Sequence, residues 1–210
     1  DKVAVKPDVS NDVASLTKIL GTLPLLMKIE EKNVVTIDTK FSKMIPTFEN
    51  YNKKNMTINE MLSHYVLLRP WEPFYAKTHD SLKKPSAKYY RREYSPMYSI
   101  KVAEEIYLRY DYPDTIQKII MDSNLLPSLQ YRYSDFPYYI LKKYIEGYYD
   151  KPLDELVQDR FYQSLGANYT TYNPSPKFSN ENIVPSELDD YYRNQKIQGY
   201  VHDIGDAMEK

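Results

Sequence analysis

Ser15-Leu16-Thr17-Lys18 places a hydroxyl and an amine three residues apart at the start of the first strongly periodic stretch of the chain. On a helix that spacing puts both side chains on one face, one turn apart. A serine hydroxyl is a poor nucleophile until a neighbouring base takes its proton, and a partly buried, neutral lysine can take it. The positive potential of a helix N-terminus favours the anion that then develops. As a bare pattern the pair is weak, because a chain of this length yields about one such match by chance. A second copy, Ser81-Leu82-Lys83-Lys84, lies in a basic loop with no apolar helix behind it to hold the geometry. Tyr133-Ser134-Asp135 stands just before another buried-looking helix. A tyrosine hydroxyl near a serine–lysine pair can relay a proton to a leaving group, and a short polar residue two positions on can orient the lysine. Against that, Tyr133 is one tyrosine among 23.

The elements that must position these residues read as helices. Leu16, Ile19, Leu20, Leu23 and Met27 recur at helical spacing over about 15–31, so one stripe is apolar. Ser10 and Asp12 are available to cap its start, and Pro24 inside the pattern predicts a kink costing about 3 kcal/mol if the site cannot adapt. Residues 33–48 read as loop with a short helix. Thr57-Ile58-Asn59-Glu60 is a capping box opening a helix that runs through His64. An irregular basic loop follows over 69–97, carrying Pro70, Pro73, Pro85 and Pro96. Further helices are expected over 98–165, at about 98–109, 113–122, 135–146 and 153–165. The third buries Phe136, Ile140, Leu141, Tyr144 and Ile145 and stops at Gly147; the last is opened by Pro152 and ended by Gly166. From Ala167 to Lys210 the chain reads as loop. The expectation is a mainly α protein, a single helical domain over 1–210.

Composition excludes several classes. With 28 basic and 29 acidic residues the net charge is −1, which gives no electrostatic case for nucleic acid or an anionic membrane. The longest apolar run, Ile19 to Met27, is broken by Gly21, Thr22 and Pro24 and falls far short of the ~20 residues of a membrane span. No signal peptide opens the chain; Asp1-Lys2-Val3 reads as a cut or mature start. The absence of cysteine rules out disulfides and thiolate metal sites. Only 5 glycines argue against a hairpin-rich β protein. The tyrosines read chiefly as core and surface aromatics, with carbohydrate stacking the sharper alternative. His202-Asp203 supplies two possible ligands, too few for a metal site, so no metal or cofactor is expected.

Several segments together resemble the serine β-lactamase and penicillin-binding family. Val13-Ala14-Ser15-Leu16-Thr17-Lys18-Ile19, followed by Leu26-Met27-Lys28-Ile29, resembles its active-site helix. Residues Thr57 to His64 resemble its "TIRELLTH" segment, and Tyr131 to Phe136 its second motif. Lys151-Pro152-Leu153-Asp154-Glu155 through Ser164-Leu165-Gly166-Ala167 resembles its "KPLDEFV…PLG" helix. Ile183 to Glu187 and Gln198 to Asp203 match a subgroup close to class C enzymes and esterases, some of whose members are fused to bacterial glycoside hydrolases.

The resemblance implies the helical portion of the β-lactamase/DD-peptidase α/β fold, a fragment with most of the β-sheet missing. It implies Ser15 as nucleophile, Lys18 and Tyr133 as proton shuttles and Asp135 beside them. The substrate would be a β-lactam, a D-Ala-D-Ala-type peptide or an ester, and the Ser15 N–H would form half of an oxyanion hole. It further implies a bacterial periplasmic or envelope location, and a larger polypeptide that includes a glycoside hydrolase domain. His64 would be a packed structural histidine. The departures are as specific as the matches. The family's third motif is expected beyond Lys210, and the strands that precede its serine would need more than 14 residues. The "HTSGL" segment becomes His64-Tyr65-Val66-Leu67-Leu68, with Leu67 in place of glycine at the adjoining loop turn. Asp135 stands where many members have Asn, and Asp206 to Lys210 replaces glycine-rich sequence. The second reading is therefore a catalytically silent module that binds peptide or glycan.

Overall fold

The computed structural model describes residues 9–82 and 84–209. The start at Asp1-Lys2-Val3 and residues Lys83 and Lys210 lie outside the described residues. In chain order the helices are α1 (Leu23–Glu31), α2 (Phe41–Met44), α3 (Ile58–Leu62), α4 (Tyr112–Asp122), α5 (Phe136–Tyr149), α6 (Leu153–Val157) and α7 (Ile204–Glu209). The strands are β1 (Tyr90–Arg91), β2 (Ile100–Ala103), β3 (Ile106–Leu108), β4 (Glu187–Asp189) and β5 (Gln195–Ile197). Where one helical domain was expected, the backbone groups into two compact units. One holds Ser15–Glu72 and Asp114–Asp159; the other holds the described residues up to Ala14, Pro73–Pro113 and those from Arg160 onward.

The first of these is helical and carries the Ser–Lys pair. Its leading helix is not one α-helix over 15–31. A 3-10 turn at Ala14–Leu16 is followed by a π-helical segment at Lys18–Thr22 and then by α1. The Leu23 N–H reaches back five residues to the Lys18 carbonyl, a wide turn that delivers Pro24 into the first turn of α1. There a missing N–H costs nothing, so the expected kink is replaced by a change of helix type. The extra residue in the wide turn also rotates the buried face. Thr22, Leu25, Leu26 and Ile29 are buried, at i, i+3, i+4 and i+7, while Leu16, Ile19, Leu20 and Met27 stay exposed. The apolar stripe read from the sequence is thus the wrong stripe.

The capping box forms as expected. Thr57 Oγ1 accepts the Glu60 N–H at 3.2 Å, and Glu60 Oε2 accepts the Thr57 N–H at 2.7 Å. α3 nevertheless ends at Leu62, and His64 takes the left-handed conformation (φ 56°) beyond it. The left-handed turn falls on His64 and not on Leu67, where the family's glycine would stand. α5 runs through Gly147 to Tyr149 and is closed by Asp150 at φ 51°, because a short polar side chain tolerates that conformation. Helix 153–165 is shorter than expected: α6 gives way to a second π segment at Gln158–Tyr162, and Gly166 (φ 66°) closes the turn that follows.

A fully buried lysine ties this unit together. Lys53 Nζ donates to Asn52 Oδ1 at 3.0 Å, to the Met121 carbonyl at 3.0 Å and to the Ser123 carbonyl. Three acceptors match the three protons of an ammonium, and two of them are carbonyls at the end of α4 that lack helical donors. Burial pulls the Lys53 pKa down to about 8, opposed by Asp122, so the group remains charged at pH 7. Lys53→Met strands those carbonyls and is expected to cost about 2 kcal/mol, a fall in Tm of roughly 4–8 °C by calorimetry. The unfolded lysine binds more protons than the folded one between about pH 8 and its ordinary 10.5. Over that window the parent should therefore gain stability relative to the Lys53→Met variant as pH rises.

The second unit corrects the sequence reading most. Residues 98–109 are not a helix but the antiparallel hairpin β2–β3, with β1 added to give the order β1-β3-β2. The C-terminal region from 167 is not all loop: β4 and β5 pair as a second hairpin, and α7 follows. Nor is 69–97 wholly an exposed connection, since Phe74, Thr78 and Tyr90 are buried. Glycine scarcity misled because the turns use other residues. Glu105 (φ 51°) turns the first hairpin and Asn194 (φ 53°) the second. Arg193 is buried inside the second hairpin, bonded to Asp189 Oδ2 at 2.7 Å and to the carbonyls of Val201 and His202 at 2.7 and 2.6 Å. Tyr192 is buried with it, its hydroxyl joined to that of Tyr90, which contacts Thr78.

Candidate active site

The backbone ahead of Ser15 is bent by a local bond. Asp12 Oδ1 accepts the Ala14 N–H at 2.7 Å, and Ala14 sits at φ 48°, a conformation that costs a β-carbon residue about 1–2 kcal/mol. Ser15 follows immediately, exposed, inside the 3-10 turn. Lys18 opens the π segment and lies one turn on. Its Nζ is 3.3 Å from Ser15 Oγ and 2.7 Å from Asp135 Oδ1, and its side chain is only 12% exposed. The same ammonium lies 5.3 Å from the Tyr133 ring centroid and 5.4 Å from that of Tyr138. The structure therefore brings together all four residues singled out in the sequence: Ser15, Lys18, Tyr133 and Asp135.

Burial pulls the Lys18 pKa down, but the hydrogen bonds and charges of Asp135 and Tyr133 outweigh it and hold the group above its ordinary value. Lys18 is thus an ammonium at rest, donating toward Ser15 Oγ. Two further residues belong to the site and were not assigned to it from the sequence. Tyr138 sits three positions after Asp135 on the first turn of α5, a spacing that was legible. His64 is packed, as expected, but packed against this segment: its Nδ1 accepts the Ser134 N–H at 3.2 Å.

The other sequence candidates separate cleanly. Around the second Ser-x-x-Lys the chain turns about Asp80, whose Oδ1 accepts the N–H groups of Leu82 and Lys84 at 2.8 and 3.0 Å. Among the described residues there, none belongs to a helix that would align Ser81 with Lys84. His202 Nδ1 pairs with Asp12 Oδ2 at 3.0 Å, and no cluster of three metal-ligating side chains occurs among the described residues. No helix among them is long and apolar enough to cross a membrane.

Known proteins share sequence and fold with this chain. The β-lactamase family model matches residues 1–185. A Salmonella typhimurium (strain LT2) protein provisionally named D-alanyl-D-alanine carboxypeptidase is 27% identical over 184 residues, which is 84% of this chain and 37% of that protein. Among solved structures, a β-lactamase from Sulfitobacter sp. EE-36 superposes with a TM-score of 0.59 at 14% identity, covering 99% of this chain and 47% of that one. The D-amino acid amidase of Ochrobactrum anthropi SV3 superposes with a TM-score of 0.58 at 17% identity, covering 89% and 46%. The chain belongs to the β-lactamase family. It spans just over a third of the length of the curated relatives it matches, and its helices and small sheets are those of a partial β-lactamase fold.

Proposed function

We propose that the protein is a serine hydrolase of the β-lactamase and D,D-peptidase type, with Ser15 as nucleophile. The observation that carries this reading is the convergence of Ser15 Oγ and Asp135 Oδ1 on one mostly buried ammonium, Lys18, at 3.3 and 2.7 Å. For the reaction, Lys18 must first give up its proton, with Tyr133 as the adjacent hydroxyl through which it can leave. Neutral Lys18 then takes the Ser15 proton as Oγ bonds to the carbonyl carbon. The C–N or C–O bond breaks, the leaving group takes a proton by way of Tyr133, and water hydrolyses the acyl-serine by the reverse relay. The Ser15 N–H would donate to the oxyanion.

The substrate class we favour is a D-Ala-D-Ala-type peptide, from the name carried by the curated relatives; a β-lactam would be its trapping analogue. The same reading proposes a bacterial envelope location and a part of the family fold within a longer polypeptide, where a glycoside hydrolase domain would be a further part. The test is intact-mass analysis after incubation with a reactive penicillin, followed by peptide mapping. An adduct on the Ser15 peptide is expected.

The resting protonation of Lys18 also favours a second reading, a silent module that binds peptide or glycan, since an ammonium cannot take a serine proton. No adduct across pH 6–10 would select it.

Asp135 is the lever on that protonation. Asp135→Asn removes the nearest negative charge but keeps an acceptor, so the Lys18 pKa falls and more of it is neutral at a given pH. The ascending limb of acylation against pH should move to lower pH, with the rate at pH 7 rising roughly threefold to tenfold. An unmoved limb would uncouple Asp135 from the base.

A further inference from the structure

His64 is tied at two points to the segment that carries Tyr133 and Asp135. Its carbonyl accepts the Arg132 N–H at 3.0 Å, and its ring Nδ1 accepts the buried Ser134 N–H at 3.2 Å. The backbone N–H groups of the two residues flanking Tyr133 are thus held by one residue, fixed at φ 56° beyond α3. The ring lies against Tyr133, Tyr138 and Tyr131, with centroids 4.5, 6.0 and 6.3 Å away. The segment is braced again by Ser134 Oγ on the Arg69 carbonyl at 2.5 Å and by the Asp135 N–H on the Pro70 carbonyl at 3.1 Å. Nδ1 accepts a hydrogen bond only when it carries no proton, so the ring that fits this geometry is neutral, with its N–H on Nε2.

We infer that His64 is a positioning residue whose neutral imidazole holds Tyr133 and Asp135 against Lys18, and whose protonation releases them. Protonation turns Nδ1 into a donor facing the Ser134 N–H, and two donors cannot share that gap. The charged groups around the ring are Lys18, which opposes a second positive charge, and Asp135, which favours it; Tyr131, Tyr133 and Tyr138 are the titratable groups packed against it, the first edge-on and the others tilted. Burial first and Lys18 second hold the imidazole below its ordinary pKa, against the pull of Asp135. The sign follows: the segment is fixed at neutral pH and loosens on acidification.

The rate readout rests on the acyl-serine chemistry proposed above; the structural readout does not. In protein labelled with 15N-serine and 13C-histidine, the Ser134 amide resonance should titrate together with the His64 ring between pH 8 and 5. Penicillin acylation of the same protein should fall over the same range. His64→Asn places Oδ1 where Nδ1 stood and tolerates the left-handed backbone, but cannot be protonated. It should keep the Ser134 amide insensitive to pH and remove the His64 contribution to the acid limb. His64→Leu, which lacks the acceptor, should lose about 10- to 100-fold in acylation at every pH, and Asn should recover most of it. A Ser134 amide indifferent to His64 titration overturns the inference, as does an unchanged acid limb in His64→Asn. If nothing is acylated at any pH while Ser134 still follows His64, the coupling stands and the hydrolase reading fails.

Discussion

Ser15→Ala is expected to abolish covalent labelling by penicillin and to lower any peptidase turnover by about 10³- to 10⁶-fold. The effect is large because, in the proposed reaction, the hydroxyl bonds to the acyl group, and alanine offers nothing in its place. Stability should change by less than about 0.5 kcal/mol, since Ser15 is exposed and its side chain is hydrogen-bonded to the Lys18 ammonium. Intact-mass analysis beside a thermal melt separates the two effects. An adduct of equal yield on the variant would place the nucleophile elsewhere. Residual turnover in the variant, without an adduct, measures what binding and the backbone donors contribute alone.

The second large effect is at Lys18, where two substitutions divide charge from proton transfer. Lys18→Met removes the proposed base and should cost about 10²- to 10⁴-fold in acylation. It also leaves Asp135, 24% exposed, without the cation 2.7 Å away, so some loss of stability should accompany it. Lys18→Arg keeps a positive charge for Asp135, yet a guanidinium does not give up its proton at any working pH. Arginine should therefore be as inactive as methionine in stopped-flow acylation while melting closer to the parent. Wild-type rates in Lys18→Arg would show that the residue acts only as a fixed charge.

Much of the helical unit was legible because its signals are local. The Thr57–Glu60 capping box needs only two residues at a fixed spacing, and it forms with both reciprocal bonds. α4 lies within a residue of its expected start and α5 begins one residue late. The hairpins were not legible. In 98–109, Ile100, Val102, Ile106 and Leu108 satisfy a helical period and a strand period alike over so short a run, and the turn between the strands carries Glu104-Glu105 where glycine or asparagine would have announced it. In the C-terminal region, strands of three residues are too brief for any periodicity to register.

Residue order supplied the candidates for the site: a hydroxyl and an amine one turn apart, and a tyrosine and a carboxylate two residues apart on another segment. Spacing along a single helix or turn is a local property and offered these candidates, but a pattern that recurs at Ser81–Lys84 is weak alone, and the family resemblance singled out Ser15, Lys18, Tyr133 and Asp135. That the two segments meet was settled by packing in three dimensions, because a contact between residues so far apart in sequence depends on how α1 and α5 pack. The tertiary structure decided as well that Lys18 rests protonated, and that His64 grips the tyrosine segment. Protonation is set by which charges surround a group in space and by how much water is excluded there, and neither is written in the order of residues.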